Sequence, residues 1–107
     1  MHAFDVLADP VRRRILELLA SKEQTSGNVA TIIEAEFGIS QSAVSQHLRV
    51  LRESGLALVR RDGAKRRYSL QTEALAEVDE WLESLRAAWA PRFAALATEV
   101  ERGKRKR

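Results

Sequence analysis

The sequence predicts a mainly α-helical fold carrying one small β-hairpin. Apolar residues recur three and four positions apart through residues 11–19, 29–37, 44–51 and 75–100, the pattern of helices with one buried face. Around Asp62-Gly63 that period gives way to short β-compatible runs on either side. Pro10 stands where a helix should begin, and Gly38 and Gly55 where helices should end.

Taken in order, Ala3–Leu7 begins a short amphipathic helix with Phe4 and Leu7 on one side. Asp9 is suited to capping the next helix, and Pro10 has its backbone preset for the first helical position. Val11, Ile15, Leu18 and Leu19 then make Pro10–Ala20 amphipathic. Ser21–Ser26 reads as a polar connection. Val29, Ile32, Ile33 and Phe37 form the apolar face of a second helix, which Gly38 ends. Ser40 caps the helix after it, as a single cap, because Ala43 stands where a capping box needs Glu or Gln. In that helix, over about residues 40–54, Val44, Leu48 and Leu51 point inward. His47 fills the remaining inner slot and reads as a packed, hydrogen-bonded histidine. Two helices joined through Gly38-Ile39-Ser40 make a helix-turn-helix unit.

Leu56–Arg61 and Arg66–Leu70 form the hairpin, over about residues 56–70, with Asp62-Gly63 as its turn. Thr72 is placed as the cap of a last helix over about residues 72–102. Its seam is Leu75, Val78, Leu82, Leu85 and Trp89, resumed by Phe93, Leu96 and Val100 after a kink or break at Pro91. The expected layout is one domain over residues 1–102 and a basic, solvated tail over 103–107.

The 107 residues suit a single core; 45% are hydrophobic and 31% charged, as in soluble globular proteins. No apolar run is long enough to span a bilayer, and no signal peptide is expected, since His2-Ala3-Phe4-Asp5 lacks a basic leader followed by an apolar block. Cysteine is absent, which excludes disulfides and thiolate metal sites and fits a cytoplasmic chain. The net charge of +3 conceals clustering. Arg60, Arg61, Lys65, Arg66 and Arg67 crowd the hairpin against Asp62 alone. Residues 71–101 are acidic, and Arg102–Arg107 is basic again. Such local cationic patches point to an anionic partner more than the total does.

The outer face of residues 40–49 carries Ser40, Gln41, Ser42, Ser45, Gln46 and Arg49. Gln and Arg pair with the major-groove edges of adenine and guanine, and Ser reaches bases or phosphates. The neighbouring Arg61, Lys65, Arg66 and Arg67 are placed to meet the phosphate backbone, where counterion release supplies sequence-independent affinity. Arg12-Arg13-Arg14 reads either as a solvated helix face or as a phosphate contact. No catalytic constellation is present: Ser42 and Ser45 do not face His47 on a helix, and no glycine-rich phosphate loop occurs. The acids Glu73, Glu77, Asp79, Glu80 and Glu83 suit a helix N-terminus and an outer solvated face.

Three segments, LADPVRRRILELL (7–19), GISQSAVSQHLRVLRESGL (38–56) and RRDGAKRRYSL (60–70), resemble the winged helix-turn-helix repressors of the ArsR/SmtB family. The resemblance implies a homodimer built on the first and last helices, here Phe4, Leu7, Leu75, Val78, Leu82, Leu85, Trp89, Phe93 and Leu96. It implies repression by occupying a palindromic double-stranded DNA operator, with Gln41, Ser42, Ser45 and Gln46 on DNA. Metal-sensing members use cysteine pairs in the helix-turn-helix or Asp, His and Glu on the last helix. Here Val29–Phe37 lacks Cys and Thr72–Val100 lacks Cys and His, and Asp79 with Glu83 alone is a poor transition-metal site. No metal or other cofactor is expected. Trp81, Trp89 and Pro91-Arg92-Phe93 resemble the metal-independent, autorepressor-like branch, while Asn28–Phe37 is about one helical turn longer than common family versions. Two other readings stay open: a winged-helix protein-interaction module, and a repressor with a small-molecule site between dimer helices near Trp81 and Trp89.

Overall fold

The computed structural model describes residues 2–105. Their order is α1 (Ala3–Leu7), α2 (Pro10–Ser21), β1 (Gln24–Thr25), α3 (Ser26–Phe37), α4 (Gln41–Glu53), β2 (Ala57–Asp62), β3 (Lys65–Leu70), a 3-10 turn (Glu73–Leu75) and α5 (Ala76–Arg105). The mainly α architecture with a small hairpin is therefore as expected, and the chain divides into two compact units, Met1–Ala76 and Glu77–Arg107.

In the first unit the helix ends are set by local chemistry. Asp9 Oδ1 accepts from the backbone amides of Val11 and Arg12, at 2.8 and 3.2 Å. Thr25 caps α3 through the amide of Asn28, and Ser40 caps α4 through that of Ala43. Gly38 takes φ +67°, the left-handed conformation that lets α3 stop and α4 start within three residues. The largest fully buried side chains are Val6, Ile15, Val29, Ile33, Val44, Leu51 and Leu56, so α1 to α4 and the base of the hairpin close on one core. Val6 is the residue that α1 buries. Phe4 is exposed and Leu7 half-buried, whereas Phe37, expected on the inner face of α3, is exposed and Ala30 is buried instead.

Four local expectations are corrected. Within the Ser21–Ser26 connection, Gln24 and Thr25 form a strand against Tyr68 and Arg67, giving an antiparallel sheet of order β1-β3-β2. Gln24 is buried with its amide satisfied: it donates to the Leu18 carbonyl and accepts from Asn28 Nδ2. The hairpin turn is Gly63-Ala64, because Asp62 pairs with Lys65. A positive φ at Gly63 followed by a negative one at Ala64 is the signature of a type II′ turn. Thr72 makes no side-chain cap; its αR backbone opens the 3-10 turn directly. The arginines at 12–14 are neither idle nor free. Arg12 donates to the carbonyls of Val6 and Asp5, Arg13 to that of Leu7, and Arg14 to both carboxylate oxygens of Glu36, tying α1 and α3 to α2.

In the second unit, α5 runs through Pro91 without a break and includes residues 103–105 of the expected tail. Trp81, Leu85, Trp89, Leu96 and Val100 are exposed along it, and the Arg92 guanidinium lies 4.9 Å from the Trp89 ring. Val78 and Leu82 are half-buried. The side chain of Phe93 and residues Lys106-Arg107 lie outside what is described.

The Asp9 carboxyl sits below the ordinary aspartate value. Burial pushes it up, but the amides of Arg12 and Val11 and the charges of His47 and Arg12 outweigh that. Its contribution is complete above the unfolded pKa and is lost as pH falls through the folded one. Asp9→Ala is expected to lower stability by about 1 kcal/mol near neutrality. In denaturant titrations the gap to the unsubstituted chain should shrink as the buffer is acidified through the Asp9 titration.

Candidate nucleic-acid interface

The inner stripe of α4 decides what its outer face presents. Val44, Leu48 and Leu51 are at most 3% exposed. Gln41, Ser42, Ser45, Gln46 and Arg49 are all exposed, so every α4 side chain expected outward is outward, and the Ser40 cap lies at the same end. His47 is half-buried, its Nδ1 3.5 Å from an Arg12 guanidinium nitrogen, a packed position as expected.

The wing follows directly. At the end of α4 the Leu56 amide donates to the Leu51 carbonyl, and the Gln71 amide donates to that of Leu56, so the wing's base is bonded into the helix it flanks. Register places Arg61 opposite Arg66 and Val59 opposite Tyr68 on one face of the hairpin. Arg60 lies opposite Arg67, and Asp62 opposite Lys65, on the other. At the wing's base Tyr68 is buried, and toward the tip both faces are cationic.

Some of these cations are held by internal carboxylates. Arg67 Nε donates to Asp62 at 2.7 Å, Arg60 to Glu23 at 2.7 Å, and on α4 Arg49 donates to Glu53 at 2.9 Å. The hydrogen bond from Arg49 and its charge hold the Glu53 carboxyl below the ordinary glutamate value, and Arg67 does the same for Asp62. Arg61, Lys65 and Arg66 are exposed and make no ion pair among the described residues. The sequence places Arg49 and Arg67 on DNA, and the structure adds a carboxylate partner to each in the free protein. The i to i+4 spacing of Arg49 and Glu53 was the available signal.

The chain has no cysteine and two histidines, and among the described residues no three His, Asp or Glu side chains converge as a metal ion would need. No described helix is long and apolar enough to cross a membrane.

Residues 7–60 match a family model described as a helix-turn-helix domain. The transcriptional repressor SdpR of Bacillus subtilis (strain 168) is 33% identical over 81 residues, covering 76% of this chain and 86% of SdpR. A crystal structure of a possible transcriptional regulator for arsenical resistance is 44% identical with TM-score 0.66, over 85% of this chain and 91% of that one. A solution NMR structure of a homodimeric winged helix-turn-helix DNA-binding domain from Mycobacterium bovis, a possible ArsR-family regulator, is 28% identical with TM-score 0.58, over 78% and 73%. Against two other curated relatives, both 39% identical, the chain spans 63% of their length. Helix-turn-helix and basic wing together define a DNA-binding transcriptional regulator, a class distinct from enzymes. The chain belongs to the ArsR/SmtB family of such regulators.

Carboxylate NMR titration checks the ion pairs. Glu53 and Asp62 should both titrate below their ordinary ranges. Arg49→Ala should return only Glu53 to its range, and Arg67→Ala only Asp62.

Proposed function

We propose that two copies of this chain bind a palindromic operator and repress transcription by occupying it, in the cytoplasm and without a metal effector. The observation that carries this reading is the outward row on α4, set beside a wing with three cations that make no ion pair among the described residues. Gln41, Gln46 and Arg49 read base edges in the major groove, while Ser40, Ser42 and Ser45 reach bases or the adjoining phosphates. Arg61, Lys65, Arg66 and Arg67 neutralise backbone phosphates, which positions the helix without reading sequence. Arg49 and Arg67 exchange an exposed internal carboxylate for DNA, a small loss because such exposed pairs contribute little to stability.

Dimerisation falls to α1 and the C-terminal segment. Phe4 and Leu7 on α1, Leu75 in the 3-10 turn, and Val78, Leu82, Leu85, Trp89 and Leu96 on α5 supply the apolar contacts, with Phe93 assigned there from the spacing alone. The exposure of Leu85, Trp89 and Leu96 supports this, since a helix with an uncovered apolar row is stabilised by a second copy. The homodimeric Mycobacterium bovis domain supports it as well. In this reading release from DNA does not use a transition metal, because the chain has no cysteine and its two histidines, His2 and His47, lie outside the last helix.

Binding to the chain's own upstream promoter fragment, against a scrambled competitor at two salt concentrations, tests the reading. Preference for the promoter at both salts is expected. Equal binding to the two DNAs would reduce the interaction to electrostatics and contradict it. Gln46→Ala should cost about 1–3 kcal/mol on the operator and relax one base position. Lys65→Ala should weaken binding to every sequence and flatten the salt slope by about one unit.

A further inference from the structure

Between α4 and the wing lies a cleft of about 230 Å³ lined by Ser26, Ser45, Arg49, Arg52, Arg66 and Tyr68, together with the buried Leu48 of α4. Ser45, Arg49 and Arg52 stand four and three positions apart, so they form one stripe of α4. Arg66 and Tyr68 share a face of β3. Three guanidiniums, each permanently charged, thus border one concavity that no carboxylate lines. Tyr68 is 4% exposed, yet its phenol makes no hydrogen bond with any described residue, and no buried polar atom is left sealed without a partner. Its hydroxyl is therefore open to solvent at the edge of a cationic cleft. Ser26 opens α3, where backbone amides have no intrahelical acceptor.

From this arrangement we propose that the cleft is a seat for one DNA phosphodiester, held by Arg52 and Arg66. The inference rests on the DNA-binding reading above and extends it to residues outside the α4 reading face. A protein that places a helix in the major groove and a flanking hairpin over the next groove must straddle the phosphate strand between them. In this chain the space for that strand is the cleft. Guanidinium forks match the two non-bridging oxygens of a phosphodiester, and the Tyr68 hydroxyl and Ser26 supply neutral donors on the same side. Arg49 borders both the cleft and the base-reading face, and Glu53 holds it at 2.9 Å in the free protein. Arg52 forms no ion pair among the described residues, so it needs no exchange to take the phosphate.

The test is quantitative binding of the full chain to operator and scrambled duplexes across salt concentrations, with phosphate-ethylation interference on the operator. Arg52→Ala and Arg66→Ala should each lower affinity about tenfold. The loss should be equal for both DNAs, with a salt slope shallower by about 0.9. Arg52→Lys should keep the slope, and thermal unfolding of each variant should match that of the unsubstituted chain. Ethylation of one phosphate per half-site should weaken binding of the unsubstituted chain and lose most of that effect with either alanine variant. An unchanged slope for Arg52→Ala, a changed base preference, or interference lost at different phosphates for the two variants would overturn the seat while leaving DNA binding intact. Failure of the unsubstituted chain to bind any duplex would overturn both readings together.

Discussion

The rotation of α4 about its own axis is the constraint on which the rest of the surface depends. Burying Val44, Leu48 and Leu51 stabilises one rotational setting by about 1.5–3 kcal/mol per side chain. Any other setting would push Gln, Ser or Arg into the core, where unpaired polar groups are costly. Gly38 and the Ser40 cap fix where the helix begins along that axis. Nothing polar on the outer face has to be held in place by its own contacts; the core does it from behind.

The same economy extends to the wing. Its base is bonded to the end of α4 through Leu51 and Leu56, and Tyr68 anchors its middle strand. β1 closes the open side of β3, so the hairpin is part of a three-stranded sheet tied to the start of α3. Helix, wing and the first residue of α3 are consequently linked by continuous backbone hydrogen bonding and strand pairing. That is why side chains as distant in sequence as Ser26 and Arg66 line one cleft. The cations along this edge are of two kinds: those leased to Glu23, Glu53 and Asp62, and those left open to solvent.

What the sequence made legible were the features with a local cause. Helical spacing located the buried stripe of α4, the Asp9 and Ser40 caps have their amide donors beside them, and the charge run marked the wing. Features fixed by distant partners were not legible. Gln24-Thr25 is too short to show strand alternation and exists because Tyr68 and Arg67 are opposite it. The turn register moved by one residue because Asp62 has a cross-strand partner in Lys65. Arg12 to Arg14 looked like a solvated run because their acceptors lie on α1 and α3. Pro91 removes one helical hydrogen bond, and α5 nonetheless continues through it. The place of Arg52 was not legible because Ser26, Arg66 and Tyr68, which line the cleft with it, are distant in sequence.

Titration of isotopically labelled chain with duplex DNA, followed through amide and side-chain NMR shifts, reaches the central claim most directly. The account predicts that the largest changes map to residues 40–49 of α4 and 60–67 of the wing, with Val44, Leu48 and Leu51 little altered. Changes confined to α5, or an outer face of α4 that does not respond to duplex at low salt, would contradict it.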